Sequence, residues 1–202
     1  MKYLKMLGLG AIAATATMAL LGAGPASAQT LYTYTSSATS ADAIGAIDII
    51  STLEEKTSAL LVDTAGGVND TCPGSEIKTT IATNTTTDAG GSNAILSFIG
   101  CSHTTHVLAK GSLEIKHQPG TPNGTVISKG TRITIKSTVF GISCVANTGA
   151  GTAIGTLTGA TSETGKATMD IAGVITLENG CGDSTWTGKY EVTSPVGLTV
   201  DP

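Results

Sequence analysis

Residues 107–116 read VLAKGSLEIK. Val107, Ala109, Leu113 and Ile115 fall on one side of a two-residue period. His106, Lys110, Ser112, Glu114 and Lys116 fall on the other. In an extended chain successive side chains point to opposite faces, so this run predicts a half-buried β-strand. The pattern recurs outward from it. GTRITIK (130–136) turns Ile133 and Ile135 inward, with Arg132, Thr134 and Lys136 outward. VFGISC groups Phe140, Ile142 and Cys144, and KATMDI groups Ala167, Met169 and Ile171 with Asp170 opposite. WTGKYEV places Trp186, Gly188, Tyr190 and Val192 on one face, and GLTV (197–200) reads as a last strand. Turn residues separate these runs at short intervals: Pro119-Gly120, Pro122-Asn123-Gly124, Lys129-Gly130, Thr148-Gly149, Gly165, Asn179-Gly180 and Pro195. Short strands, hairpin turns and no helix-length periodic segment predict an all-β fold. The expected form is a disulfide-bonded antiparallel β-sandwich, Greek-key or jelly-roll-like.

The N-terminal third is less regular. LYTYT (31–35) alternates and reads as a strand. SADAIGAIDIISTLEEK (40–56) fits a helix capped by Ser40, with Ile44, Ile47, Ile50 and Leu53 on one face. It also fits a strand, AIDIIST, a polar turn and a second strand, SALLVD. Gly45 and the β-branched content favour strands. TNTTTDAGGSN (83–93) reads as a loop.

Lys2 and Lys5 precede an apolar run, LGLGAIAATATMALLGAG, and Ala26-Ser27-Ala28 supplies the small residues of a cleavage site. This is the pattern of a secretory signal peptide over residues 1–28, cut between Ala28 and Gln29. Residues 29–202 then form a single secreted domain with no transmembrane segment. The formal charge is −4, and loss of the two lysines makes it more negative, so the chain carries no electrostatic footprint for nucleic acid. Only 13% of residues are charged, so few like charges hold copies apart. That favours self-association or contact with a cell surface or apolar substrate.

Four cysteines, Cys72, Cys101, Cys144 and Cys181, in an exported chain are expected to pair. Three connectivities exist; Cys72–Cys101 and Cys144–Cys181 are preferred because each brackets a compact group of strands. Without a C-x-x-C pair, zinc is disfavoured. All three histidines, His103, His106 and His117, lie in CSHTTHVLAKGSLEIKH (101–117). On a regular strand Cys101 and His103 share the inward face and His106 points out, so one ion cannot take both histidines unless the chain turns at Ser102–Thr105. A G-x-S-x-G elbow and a phosphate-binding G-x-x-x-x-G-K-[ST] loop are absent. GAGTAIG (149–155) has Ile154 where a dinucleotide loop needs glycine. The acids near Asp63–Asp70 and Asp88–Asn93 lack EF-hand spacing. No catalytic residue, cofactor or metal site is therefore expected. Asn69, Asn84 and Asn123 match the glycosylation acceptor pattern. Tyr32, Tyr34 and Trp186 are the candidates for a binding surface, although Trp186 shares its face with Tyr190 and Val192, follows Cys181 closely and fits a core position better.

The pieces GTPNGTV, FGISC before GAGTAIGTLTG, ATMDI and CGDSTWTGKYEVTSP resemble the protein activator of alkane oxidation family of small secreted bacterial proteins. The resemblance covers about residues 95–200. It implies an extracellular, disulfide-bonded β-domain linked to growth on hydrocarbons and to cell-surface or biofilm behaviour, without an assigned reaction. Cys144 and Cys181 match the family's cysteine positions, which supports their pairing. The resemblance supplies no catalytic residue. The leading expectation is a non-enzymatic secreted surface or matrix protein; a carbohydrate- or small-ligand-binding module comes next, and a secreted hydrolase last.

Overall fold

The structure, a computed structural model, describes residues 30–34, 41–43, 46–63, 69–136, 141, 143–178 and 182–200. The expected signal segment with its Ala28–Gln29 cleavage point, Phe140, Ile142 and Cys181 lie outside the described residues. Among the described residues regular structure is all strand: β1 (Leu31–Tyr34), β2 (Ala41–Ala43), β3 (Asp48–Leu53), β4 (Ala59–Asp63), β5 (Asn69–Cys72), β6 (Gly74–Asn84), β7 (Asp88–Ile99) and β8 (Thr104–Ala109). There follow β9 (Ser112–His117), β10 (Asn123–Lys129), β11 (Arg132–Lys136), β12 (Ser143–Asn147), β13 (Thr152–Thr158), β14 (Thr168–Glu178), β15 (Asp183–Ser194) and β16 (Leu198–Val200). The ambiguous N-terminal segment is thus strand–turn–strand.

The sandwich expectation needs correction. Strands β15-β3-β6-β7-β9-β10-β13-β14 neighbour one another in that order, and β14 pairs back to β15, so the sheet closes into an eight-strand barrel. Closure follows from the length of β14 and β15, at 11 and 12 residues. Each is long enough for its two halves to pair with different neighbours. Tyr190–Ser194 pair with β3 while Ser184–Thr187 pair with β4. Thr168–Ile171 pair with β13 while Thr176–Glu178 pair with β12. The second halves anchor an extension, β5-β4-β15-β14-β12-β11-β8, that runs on from the barrel wall.

The corners β8–β9, β10–β11 and β12–β13, where the chain passes between extension and barrel, are bound together, and the first of them cuts the 107–116 run in two. Val107 and Ala109 sit on β8 in the extension, whereas Leu113 and Ile115 are buried on β9 in the barrel. The alternation predicted there survives in burial, but the single strand does not. Gly111 has φ +65°, and a Cβ there would lie 2.3 Å from the Lys129 carbonyl oxygen. Only glycine accepts that combination cheaply. Buried hydroxyls and an amide bind the corners to one another. Thr79 Oγ1 donates to Asn93 Oδ1 (2.7 Å), Asn93 Nδ2 and Thr131 Oγ1 both donate to the Lys110 carbonyl (2.8 and 3.0 Å), and the Thr131 N–H donates to Thr148 Oγ1 (3.0 Å).

Residues 83–93 are also corrected, from loop to hairpin: β6 continues to Asn84 and β7 starts at Asp88. The polar composition misleads because the segment is held from both sides, by β6 and by β9.

Side chains fill the interior, among them Trp186, Tyr190, Met169, Ile154, Leu157, Ile77 and Val126, each at most 2% exposed. Threonine, lysine and acidic residues face out, with ion pairs such as Lys78–Asp48 at 2.7 Å. That is the inverse of a membrane barrel, which is apolar outside. Among the described residues no helix is long and apolar enough to cross a membrane. A small sheet, β16-β1-β2, closes the barrel end opposite the extension; Leu31, Leu198 and Val200 join the same core. Asn84 anchors it by imitating a strand: Oδ1 accepts from the Thr30 and Leu31 N–H groups (3.0 and 2.9 Å), and Nδ2 donates to the Leu31 carbonyl (2.8 Å).

Candidate functional site

Acid, histidine, hydroxyl and cysteine converge where the two edges of the extension, β5 and β8, approach each other. Alternation along Asn69-Asp70-Thr71-Cys72 buries Asp70 and Cys72. Cys72 is bonded to Cys101, so the disulfide brackets the β6–β7 hairpin. Cys144 is disulfide-bonded too, and its expected partner Cys181 lies outside the described residues.

The Asp70 carboxylate, 1% exposed, is the hub. Its Oδ1 accepts from Ser102 Oγ (2.9 Å) and from the His103 N–H (2.8 Å), and its Oδ2 accepts from Thr105 Oγ1. Ser102 also ties the two edges by backbone: its N–H donates to the Thr71 carbonyl (2.9 Å), and its Oγ accepts from the Thr71 N–H (3.0 Å). His103 Nδ1 lies 3.3 Å from Ser102 Oγ and 3.8 Å from Asp70 Oδ1.

Serine, histidine and aspartate together invite comparison with a nucleophilic triad, and the geometry rejects it. In a triad the acid holds one ring nitrogen and the serine meets the other. Here both groups sit at Nδ1, and the serine hydroxyl donates straight to the carboxylate. Among the described residues no base stands ready to take the Ser102 proton toward a substrate. Metal binding meets a similar obstacle. The ligand atoms of Asp70, Cys72 and Cys101 lie within 4.8 Å of one another, but the two sulfurs are bonded to each other. A disulfide sulfur lacks the thiolate charge that binds metal. The cluster's chemistry is that of a seam: a buried carboxylate, satisfied by three donors, stitches one strand edge to the other.

The remaining histidines stay apart. His106 is exposed on β8, and His117 ends β9 in the barrel. Trp186, one candidate for a binding surface, is instead a core residue at 1% exposure, the position that its shared face with Tyr190 and Val192 favoured. Phe98 and Tyr190 meet it edge-on, with ring centroids at 5.6 and 6.4 Å. Burial pushes the Tyr190 hydroxyl up to about 12, against the opposing effect of its hydrogen bond to Ser75 Oγ (2.9 Å). Tyr32 and Tyr34 are half-buried on β1, in a different sheet from Trp186, so the three rings form no common platform.

Asp70, Ser102 and Thr105 escaped the sequence reading. One signal was available: in NDTC, period two puts Asp70 on the face of Cys72. No known protein family, curated protein or solved structure matches the chain.

Proposed function

We propose that this chain is an exported, non-enzymatic β-protein that works as a scaffold at the cell surface or in the extracellular matrix, in contact with apolar material. The observation that carries this reading is the Asp70 seam. The residues best suited to chemistry are joined in the wall of the fold, with the carboxylate held by three donors and the cysteines Cys72 and Cys101 oxidised. The filled barrel interior adds support, because it leaves the outside as the working part. Ile99, Leu108, Val174 and Val196 are each more than half exposed there, and the overall charge is low. The resemblance of the C-terminal half to the alkane-oxidation activators points to the same setting.

The reading is tested with purified chain at an oil–water interface and on cells. It predicts a fall in interfacial tension or adherence to hydrocarbon droplets, reduced when Leu108 and Val174 are replaced by Lys. A strictly monomeric protein that leaves tension and adherence unchanged would sink it. Turnover of an ester or glycoside that disappears in Ser102→Ala, in a variant that still folds, would replace it with the hydrolase reading.

A further inference from the structure

The outer barrel wall is dented where β6, β7, β9 and β10 run side by side. Register shifts at Lys78/Thr79 and Ile81/Thr83 bend the β6–β7 ladder. At the bend Gly90 and Gly91 contribute no side chains. A Cβ on Gly91 would lie 1.7 Å from the Thr80 carbonyl oxygen, and one on Gly90 2.9 Å from that of Leu113. Backbone crowding therefore requires both glycines, and their bareness leaves a groove of ≈ 310 Å³. Small-molecule sites run from roughly 300 to 1,000 Å³. This one has room for a single small ring.

The rim is polar. Ser92 and Ser112 face each other across the β7–β9 ladder, and among the described residues neither hydroxyl has a hydrogen-bond partner. Asp88 accepts the Thr87 hydroxyl at Oδ2 (3.0 Å) and keeps Oδ1 for another donor. Glu114 is held by Lys129 on one side and by Lys116 (3.4 Å) on the other. Lys129, 43% exposed, retains further N–H donors. Asp88, Glu114 and Lys129 give the lining one net negative charge, which disfavours an anion. A divalent cation would have to displace lysines from Glu114. What the rim offers is acceptors and donors spaced around a floor left bare at Gly90 and Gly91.

We propose that this groove binds one neutral pyranose ring, free or at the end of a glycan, through the free hydroxyls of Ser92 and Ser112, the Asp88 carboxylate and the Lys129 ammonium. The site is independent of the scaffold reading. Without an aromatic ring to stack on, and with each hydrogen bond exchanged for one to water, a dissociation constant on the order of 1 mM is expected.

The test is heteronuclear NMR on the whole purified chain, titrated separately with the methyl pyranosides of glucose, mannose and galactose. At least one should give saturable shifts centred on the Gly90, Gly91 and Ser112 amides. Ser112→Ala and Asp88→Asn change outward-facing side chains and should each weaken binding about three- to tenfold. Lys129→Met serves as the third variant if either spectrum loses dispersion. Three results overturn the site: no saturation at about 50 mM of any of the three sugars; the same shifts with glycerol, calcium chloride or sodium sulfate; or unchanged affinity in the folded variants.

Discussion

Asp70 concentrates the cost of the seam in one side chain. Asp70→Ala removes the buried acceptor of three hydrogen bonds, and a hydrogen bond to a charged group contributes about 1.5–3 kcal/mol. A loss of roughly 3 kcal/mol is expected by urea denaturation, with Asp70→Asn much milder because an acceptor remains. An unshifted midpoint in Asp70→Ala would show that the carboxylate is not a hub. Tyr190 makes a prediction at the other end of the pH scale. Its hydroxyl is raised from 10.0 to about 12 in the folded chain, so the folded state holds this proton more tightly than the unfolded one. The associated stability is whole below pH 10 and disappears as pH climbs through 12. Ultraviolet titration should find a tyrosine ionising near pH 12, and Tyr190→Phe should remove that step. At this scale much was legible: Trp186, Tyr190 and Val192 are buried where the period placed them. The donors to Asp70 were not, because they lie 32 to 35 residues away and meet it only through tertiary pairing.

At the scale of elements, the hairpin and the corner behave differently. Cys72–Cys101 closes a segment with a separation of 29 residues, and chain entropy assigns such a closure about 3–4 kcal/mol. Replacing both cysteines with alanine should lower stability by that order. Hydrogen exchange should quicken first at the base of the β6–β7 hairpin, near Gly74 and Ile99. Uniform quickening across the barrel would mean that the bridge does not act locally. Gly111→Ala should cost more than the ~1–2 kcal/mol of a left-handed backbone alone, because the new methyl meets the Lys129 carbonyl. A melting temperature within a degree or so of the parent would contradict the corner geometry. Strands were the most legible elements, since hydrophobic alternation reports a buried face wherever it occurs. It reports nothing about where a strand changes sheet, so Lys110–Gly111 passed as the middle of one strand. Residues 83–93 failed for the opposite reason: their burial is slight, and backbone pairing on two sides, invisible to composition, makes them strand.

For the molecule as a whole, closure was the feature least legible beforehand. A sandwich and a barrel share the same inward-outward alternation. The difference lies in whether β14 pairs back to β15 after the ring of strands has been traversed, and no local pattern records that. Charge also acts globally. The Lys129 hydrogen bond, assisted by Lys116, holds Glu114 below its ordinary 4.5, and Lys78 and Arg132 do the same for Asp48 and Glu178. These groups favour the folded chain above the ordinary carboxylate values and release that preference as pH falls through their lowered ones. Acid denaturation should therefore set in below about pH 4 and move upward with added salt, since exposed pairs are screened. A salt-independent acid midpoint would exclude these pairs as its origin. The cap has a bearing on biogenesis. Leu31 lies opposite Val200, so β1 waits for β16, which follows every other strand described. Until then the barrel mouth stands uncovered, and a polypeptide still lacking β16 displays greasy residues that the closed barrel conceals, a mark that proteases and chaperones can read.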